Sequence, residues 1–169
     1  MTRAMLWAGL VVLAVGCGDK EDTDTAGADT GASGGGGDDA TAEDVWSEIS
    51  GYTSWGQLKE FSGIQAATSV HTDHVQVWLN DIALKNANAG EPLADGAIVV
   101  KETYSDAKGS DIKDISILKK IDGYSSTSGD LFFAQYETDG SINTSGTPDG
   151  CVNCHLSSDA DGDGLTIDE

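Results

Sequence analysis

The segment Cys151-Val152-Asn153-Cys154-His155 constrains this chain more than any other part of its sequence. Two cysteines separated by two residues and followed at once by a histidine have the spacing that attaches a c-type haem. Each thiol can add to one haem vinyl group, and the adjacent imidazole can then reach the iron. A small-loop disulfide and half of a zinc site are the alternatives, but zinc needs three or four protein ligands and the chain has no second Cys-x-x-Cys pair. The motif therefore predicts covalent haem c on Cys151 and Cys154, with His155 as an axial ligand of the iron.

The amino terminus has the pattern of a bacterial export signal. Arg3 supplies positive charge, and residues 4–16 form an uncharged run that is shorter than the about 20 apolar residues of a membrane-spanning helix. The run ends in LAVGC, which resembles a lipoprotein lipobox and implies cleavage before Cys17 and acylation of its thiol. We therefore expect an exported lipoprotein, held by lipid on the inner or outer membrane and facing the periplasm or the cell surface. A plain secretory signal with an unmodified cysteine is the alternative.

The acidic charge lies largely outside the part of the chain that we expect to fold. Residues 18–42 contain no large apolar side chain, so they cannot bury enough surface to offset the entropy of ordering them, and we predict a disordered linker. Residues 157–169 are predicted to be an acidic tail, which leaves residues 43–156 as one haem domain after the signal at 1–17. The formal net charge is −20 and no basic patch is present, so nucleic acid is excluded as a partner.

The acidic tail contains the opening of a calcium-binding loop. Asp159, Asp161 and Asp163 follow the D-x-D-x-D-G pattern. A complete loop needs a bidentate carboxylate at its twelfth position, which falls one residue past Glu169. We therefore expect at most weak calcium binding, and a solvated acidic terminus is the alternative.

Alternating apolar residues between short turns predict a mainly antiparallel sheet. The four predicted strands are Thr68–Leu79, Ala97–Tyr104, Ile112–Ile121 and Gly129–Glu137. Apolar residues three and four apart predict a helix over Val45–Trp55, and a short helix is predicted over Asn80–Asn88. The expected class is α+β, with an N-terminal helix, a mainly antiparallel sheet and a short C-terminal haem-binding segment.

The order of these elements resembles the cytochrome P-460 family. The resemblance covers about residues 45–155 and is carried by a Trp-rich helix followed by VHTDHVQVWLND, ADGAIVVKE, GDLFFAQYETDG and CVNCH. It implies a β-sheet domain with haem c, which binds or oxidises small nitrogen species such as hydroxylamine and nitric oxide. Members of the wider family, which is related to the β-sheet cytochromes c-prime, keep this fold without a lysine–haem cross-link and bind nitric oxide or carbon monoxide instead.

The ligand on the second side of the iron decides what such a haem can do. Met1 and Met5 are the only methionines, and both lie in the predicted signal, so a His/Met electron carrier is excluded by counting. Either the position is open, or His71 or His74 fills it; these two histidines are predicted to point to opposite faces of a strand. The family resemblance implies an open, five-coordinate iron.

A lysine interrupts the second predicted strand. Alternation places Lys101 on the same face as Val99 and away from Val100. Its side chain either extends into solvent at the end of the strand or points inward, where it can take part in a reaction. The resemblance implies that Lys101, in its V-K-E setting, is cross-linked to the haem macrocycle.

Two aromatic and two acidic side chains are further candidates. The resemblance places a phenylalanine of the LFFAQYE strand, Phe132 or Phe133, or a neighbour against the distal face of the haem, where apolar bulk screens ligands; core packing is the alternative. Glu102 and Glu137 are candidate proton acceptors, which hydroxylamine oxidation needs. Solvated charges at a strand edge are the alternative for both.

Three functions remain open from the sequence. The first is a membrane-anchored c-type cytochrome that binds or oxidises small nitrogen species and passes electrons to a redox partner protein. The second is a cytochrome that only binds gas or transfers electrons, and the third is a haem-free lipoprotein that binds calcium or mediates adhesion. A homodimer is compatible with each of them.

Overall fold

Six strands pair in the order in which they occur in the chain, so the sheet is an antiparallel meander. The computed structural model describes residues 36–67 and 74–157. Within these residues the strands are β1 (Gln65–Ala66), β2 (His74–Leu79), β3 (Ile98–Tyr104), β4 (Ile112–Lys120), β5 (Leu131–Tyr136) and β6 (Ile142–Gly146). The helices are α1 (Gly36–Glu48), α2 (Asp81–Ala89) and α3 (Asp149–Ser157). The predicted α+β class, with its N-terminal helix and antiparallel sheet, is confirmed.

The last three predicted strands correspond to β3, β4 and β5, and the second predicted helix corresponds to α2. Helix α2 is held to the sheet by its N-cap: the Asn80 side-chain oxygen accepts from the backbone N–H groups of Ala83 and Ile98, at 2.9 and 3.1 Å. Helix α2 ends at Ala89, one residue past its predicted end, and Gly90 caps it in a left-handed conformation. Strand β2 occupies the second half of the predicted Thr68–Leu79 strand, and residues 68–73 lie outside the described residues.

The first helix is displaced from its predicted position. It ends at Glu48, and Gly51, at φ +83°, separates it from a short 3-10 turn at Tyr52–Ser54. It begins at Gly36, so residues 36–42 of the predicted linker are helical. Tertiary contacts account for the earlier start, because Ala42 is fully buried and its carbonyl accepts a 2.8 Å hydrogen bond from the Tyr136 hydroxyl.

Three of the described elements were not predicted from the sequence: the two-residue strand β1, strand β6 and helix α3. Strand β6 lies in a Gly/Ser/Thr-rich stretch whose polar side chains carry no strand signal, and it is ordered by pairing with β5 and by contacts with α1. Helix α3 contains the Cys-x-x-Cys-His segment. Among the described residues, no helix is long and apolar enough to cross a bilayer.

The sheet is covered on both sides, and alternation assigns each strand residue to one of two faces. The α1 face packs against helix α1 and holds the first core cluster: Ile98, Val100, Ile117, Phe132, Ala134 and Tyr136. The motif face packs against helix α3 and holds the second: Leu79, Ala97, Val99, Leu118, Leu131 and Phe133. Strand β3 contributes to both, so its neighbouring residues Lys101 and Glu102 point in opposite directions.

The α1 face contains a buried carboxylate. Glu102 is 3% exposed, and its two oxygens accept hydrogen bonds from the hydroxyls of Tyr52 and Tyr104. Burial, together with the nearby Glu102 charge, raises the pKa of both tyrosines, so both remain protonated donors at neutral pH. The carboxylate is thereby satisfied without a cation.

Removing a hydroxyl that donates a hydrogen bond to this carboxylate should destabilise the protein more than removing a hydroxyl that donates to a neutral carbonyl. We expect Tyr104→Phe to lower the free energy of unfolding by about 1.5–3 kcal/mol, because a charged acceptor loses its partner. Tyr136→Phe, which removes the donor to the Ala42 carbonyl, should lower it by about 1 kcal/mol. Urea denaturation of both variants measures the difference, and a loss in Tyr136→Phe equal to that in Tyr104→Phe would contradict it.

Candidate haem-attachment site

The Cys-x-x-Cys-His segment lies on helix α3. The Pro148 carbonyl accepts hydrogen bonds from the backbone N–H groups of Cys151 and Val152, at 2.9 and 3.0 Å, and so starts the first turn. Cys154 and His155 follow Cys151 by three and four positions, which places all three side chains on one side of the helix. Cys151 is half-buried and Cys154 is exposed, and no disulfide joins them.

Apolar contacts hold α3 against the motif face. Cys151, Val152 and Leu156 pack against the second core cluster, to which Phe133 belongs. The rings of Phe133 and His155 lie 5.4 Å apart between centroids, tilted by 47°. This contact orients the imidazole relative to the sheet.

The structure separates the two candidate phenylalanines. Phe133, 4% exposed, lies on the motif face beside His155, whereas Phe132 is fully buried on the α1 face, where its ring meets that of Tyr124 edge-on at 5.5 Å. Consecutive strand residues point to opposite faces, so only one of the two can reach the motif. Phe132 is therefore a core residue.

Lys101 lies on the motif face, opposite Val77 of β2 and Ser116 of β4 in the strand register. Burial lowers the pKa of its amine to about 8, because the charged form loses its hydration. The negative charge of Asp114 acts in the opposite direction, and so do Cys151 and Cys154 when their thiols ionise; burial raises the pKa of the Cys151 thiol. The fold thus brings the lysine into electrostatic range of both cysteines of the motif.

Neither glutamate predicted as a proton acceptor is brought to the motif face. Glu102 is buried on the α1 face with both oxygens occupied by tyrosine hydroxyls. Glu137 follows the end of β5, where it is exposed and accepts a 2.8 Å hydrogen bond from the Asn143 amide. Strand alternation accounts for the first placement, and the turn after β5 accounts for the second.

Of the two histidines considered as a second iron ligand, the structure describes His74. It lies opposite Tyr104 in the register, so its side chain is on the α1 face, away from the motif. Its Nδ1 atom is buried and makes no hydrogen bond. His71, Cys17 and the three aspartates Asp159, Asp161 and Asp163 lie outside the described residues.

A polar group on the motif face was missed by the sequence reasoning. The Asp114 Oδ1 atom accepts hydrogen bonds from the hydroxyls of Thr103 and Ser116, each at 3.2 Å. A sequence signal was present: in DISILK the polar residues Asp114 and Ser116 alternate with buried Ile115 and Ile117. The pattern separates a polar from an apolar face of β4, and the register with β3 places the polar face on the side of Lys101.

The residues on the motif face fit a covalently bound haem. Two thiols without a disulfide, an imidazole and an apolar surface around Phe133 are the groups that a c-type haem requires. Within residues 36–67 and 74–157, no cluster of three or more His, Cys, Asp or Glu side chains is arranged to hold a metal ion.

Comparison with known proteins agrees with this arrangement. A family model described as Cytochrome P460 matches residues 49–164, which is more than half of the chain and includes the whole sheet and helix α3. No curated protein matches the sequence. The chain therefore belongs to the cytochrome P-460 family and is a haem-binding cytochrome.

Proposed function

We propose that this protein is a membrane-anchored c-type cytochrome that binds or oxidises small nitrogen species such as hydroxylamine and nitric oxide. Its haem is attached to Cys151 and Cys154, and His155 is the axial ligand of a five-coordinate iron. The observation that carries the proposal is the common position of Lys101 and the Cys-x-x-Cys-His helix on the motif face. Lipid on Cys17 would hold the protein on a membrane surface outside the cytoplasm, and a redox partner protein would accept the electrons.

The accessibility of the two thiols supports covalent attachment. Cys154 is exposed and Cys151 is half-buried against the apolar cluster, so a flat apolar ligand can meet one sulfur from solvent and lie against the sheet near the other. When bound, haem supplies a redox-active iron with a ligand position for a small molecule. The chain contributes the two sulfurs, the imidazole and the Phe133 contact that orients it.

The distribution of possible second ligands supports an open iron position. The only methionines lie in the predicted signal, and His74 is on the α1 face. A bis-histidine iron would therefore require either that the His74 side chain move to the other face of the sheet or that His71 be the second ligand. A gas or a small nitrogen compound can bind where no protein ligand competes.

The state of the Lys101 amine supports its use as a nucleophile. With a pKa of about 8, about a tenth of the amine is neutral at pH 7, compared with fewer than about one in a thousand for an ordinary lysine. Only the neutral amine can form a covalent bond to carbon. A Lys101–haem cross-link, as the family resemblance implies, is therefore part of the proposal. The new N–C bond would replace an N–H bond of the amine and a C–H bond of the macrocycle, which releases two protons and two electrons, so the step also needs a two-electron oxidant of the peroxide class.

A second function is favoured by one observation. Because Glu102 and Glu137 do not face the motif, the proton acceptors predicted for hydroxylamine oxidation are not supplied by these residues. A cytochrome that only binds gas, or only transfers electrons, needs no such acceptor. The haem-free alternative, with calcium on Asp159, Asp161 and Asp163, is disfavoured by membership in a haem-binding family.

Covalent haem retention tests the attachment directly. The full-length chain, produced with a c-type haem maturation system, should keep its haem on a denaturing gel, whereas Cys151→Ser/Cys154→Ser should lose at least about 90% of that signal, because no thioether can form. Asn153→Ala is the control, since this exposed residue lies between the cysteines and supplies no sulfur. A wild-type chain that keeps no covalent haem would refute the proposal.

The spin state of the ferric protein tests the open position. We expect a high-spin electron paramagnetic resonance spectrum, because one imidazole and no second strong ligand give a weak ligand field. His74→Ala should leave the spectrum unchanged, since His74 is on the α1 face. A low-spin spectrum that becomes high-spin in His74→Ala or His71→Ala would show a bis-histidine iron instead.

Mass analysis of the haem peptide tests the role of Lys101. In the wild type we expect the Lys101 peptide to remain joined to the haem peptide after proteolysis, and Lys101→Met should abolish the joined species. Lys113→Met is the matched control, because Lys113 is an exposed lysine on the neighbouring strand. Unjoined peptides in the wild type, with haem retained, would favour the function limited to gas binding or electron transfer.

A further inference from the structure

A carboxylate that the proposed function does not use lies beside Lys101. The Asp114 Oδ1 atom accepts hydrogen bonds from the hydroxyls of Thr103 and Ser116, each at 3.2 Å. Thr103 is only 6% exposed, and both Asp114 and Ser116 are half-buried. The two hydroxyls therefore fix the carboxylate against the sheet instead of leaving it free in solvent.

The strand register places this carboxylate next to the lysine. Ser116 lies directly opposite Lys101, and Asp114 lies directly opposite Thr103, so the four side chains form one rectangle on the motif face. Lys101 and Asp114 occupy a diagonal of this rectangle, a separation of about 7–8 Å that a lysine stem can span. On the other side, Val77 is opposite Lys101 and carries no charge.

The groups that act on the charge of the Lys101 amine come from two elements. Asp114 on β4 has the largest effect of the three that favour the ammonium form, followed by Cys151 and Cys154 on α3. A sulfur that has formed a thioether can no longer ionise. Once haem is attached, Asp114 is therefore the acid of this set that still stabilises the ammonium.

We propose that Asp114 is the positioning residue of Lys101: its carboxylate, fixed by the Thr103 and Ser116 hydroxyls, holds the amine on the motif face and controls when it is free to react. The proposal deepens the proposed function, since the reaction of Lys101 with haem depends on that function. The pairing of Asp114 with Lys101 does not depend on haem, so the two can be tested separately.

The test uses the full-length chain in the Cys151→Ser/Cys154→Ser background, in which neither cysteine can attach haem or ionise. The reactivity of Lys101 toward acetic anhydride is measured from pH 6 to 10 by mass spectrometry. Adding Asp114→Asn should shift the midpoint of reactivity downward by about half a pH unit to one unit, because loss of the carboxylate destabilises the ammonium. Glu137→Gln is the matched control, since it neutralises an exposed carboxylate at the turn after β5 and should leave the midpoint unchanged.

Two further variants separate a positioning role from a structural one. Asp114→Glu retains the charge and should restore the midpoint, and the exposed Lys113 amine, measured in the same samples, should keep one midpoint throughout. If Asp114→Asn unfolds the chain, Ser116→Ala is measured instead. This variant keeps the charges of Lys101 and Asp114 but removes one hydrogen bond to Asp114, so we expect a smaller downward shift of the Lys101 midpoint. The proposal would be overturned if Asp114→Asn had the same Lys101 midpoint as Glu137→Gln. If Asp114→Asn does not fold, an unchanged midpoint in Ser116→Ala would overturn it.

The outcomes distinguish this proposal from the proposed function. Loss of covalent haem in the otherwise wild-type chain would refute the function and leave the midpoint measurement intact. Retained haem with an unchanged Lys101 midpoint would refute only the role of Asp114. In the haem-loaded protein, the amount of joined Lys101–haem peptide is measured as a function of pH. Asp114→Asn should shift this dependence toward lower pH, which loss of folding alone would not do.

Discussion

Strand β3 is the element on which the rest of the structure depends, because it has a neighbour on each edge and a buried layer on each face. Two consecutive charged residues in such a strand must enter opposite layers. Glu102 enters the α1 face, where two tyrosine hydroxyls satisfy it, and Lys101 enters the motif face near Asp114. Glu102 and Lys101 thus interact with different groups on opposite faces of the sheet, and of the two only Lys101 lies close to the cysteines.

The motif face acquires its chemistry from a helix that returns to the sheet at the end of the domain. Helix α3 has little amphipathic character of its own, so its position depends on Cys151, Val152 and Leu156 packing against the cluster around Leu118 and Phe133. An imidazole in contact with Phe133 and a lysine with a lowered pKa then share one surface with two thiols. The motif face thus combines side chains from strands β3, β4 and β5 with those of helix α3.

The sequence predicted the parts of the fold in which local pattern and tertiary environment agree. Strands β3, β4 and β5 alternate clearly, and α2 carries both its Asn80 cap and its Gly90 stop. Strand β6 and the start of α1 were not predictable, because neither segment has the apolar periodicity that indicates a strand or a helix. They are ordered by contacts from distant residues, such as the hydrogen bonds from Tyr124 to Asp38 and from Ser145 to Asp39.

The sequence by itself determined the attachment motif, the family resemblance and the opposite orientation of Lys101 and Glu102, since spacing and a two-residue period are local properties. Only the tertiary structure decided which face of the sheet meets the motif. The answer depends on where α1 and α3 pack. As a result Phe133 lies beside the motif and Phe132 does not, and Glu102 and His74 lie on the opposite face. It also brought Asp114 beside Lys101, because a pairing between two strands is set by their register and not by either strand alone.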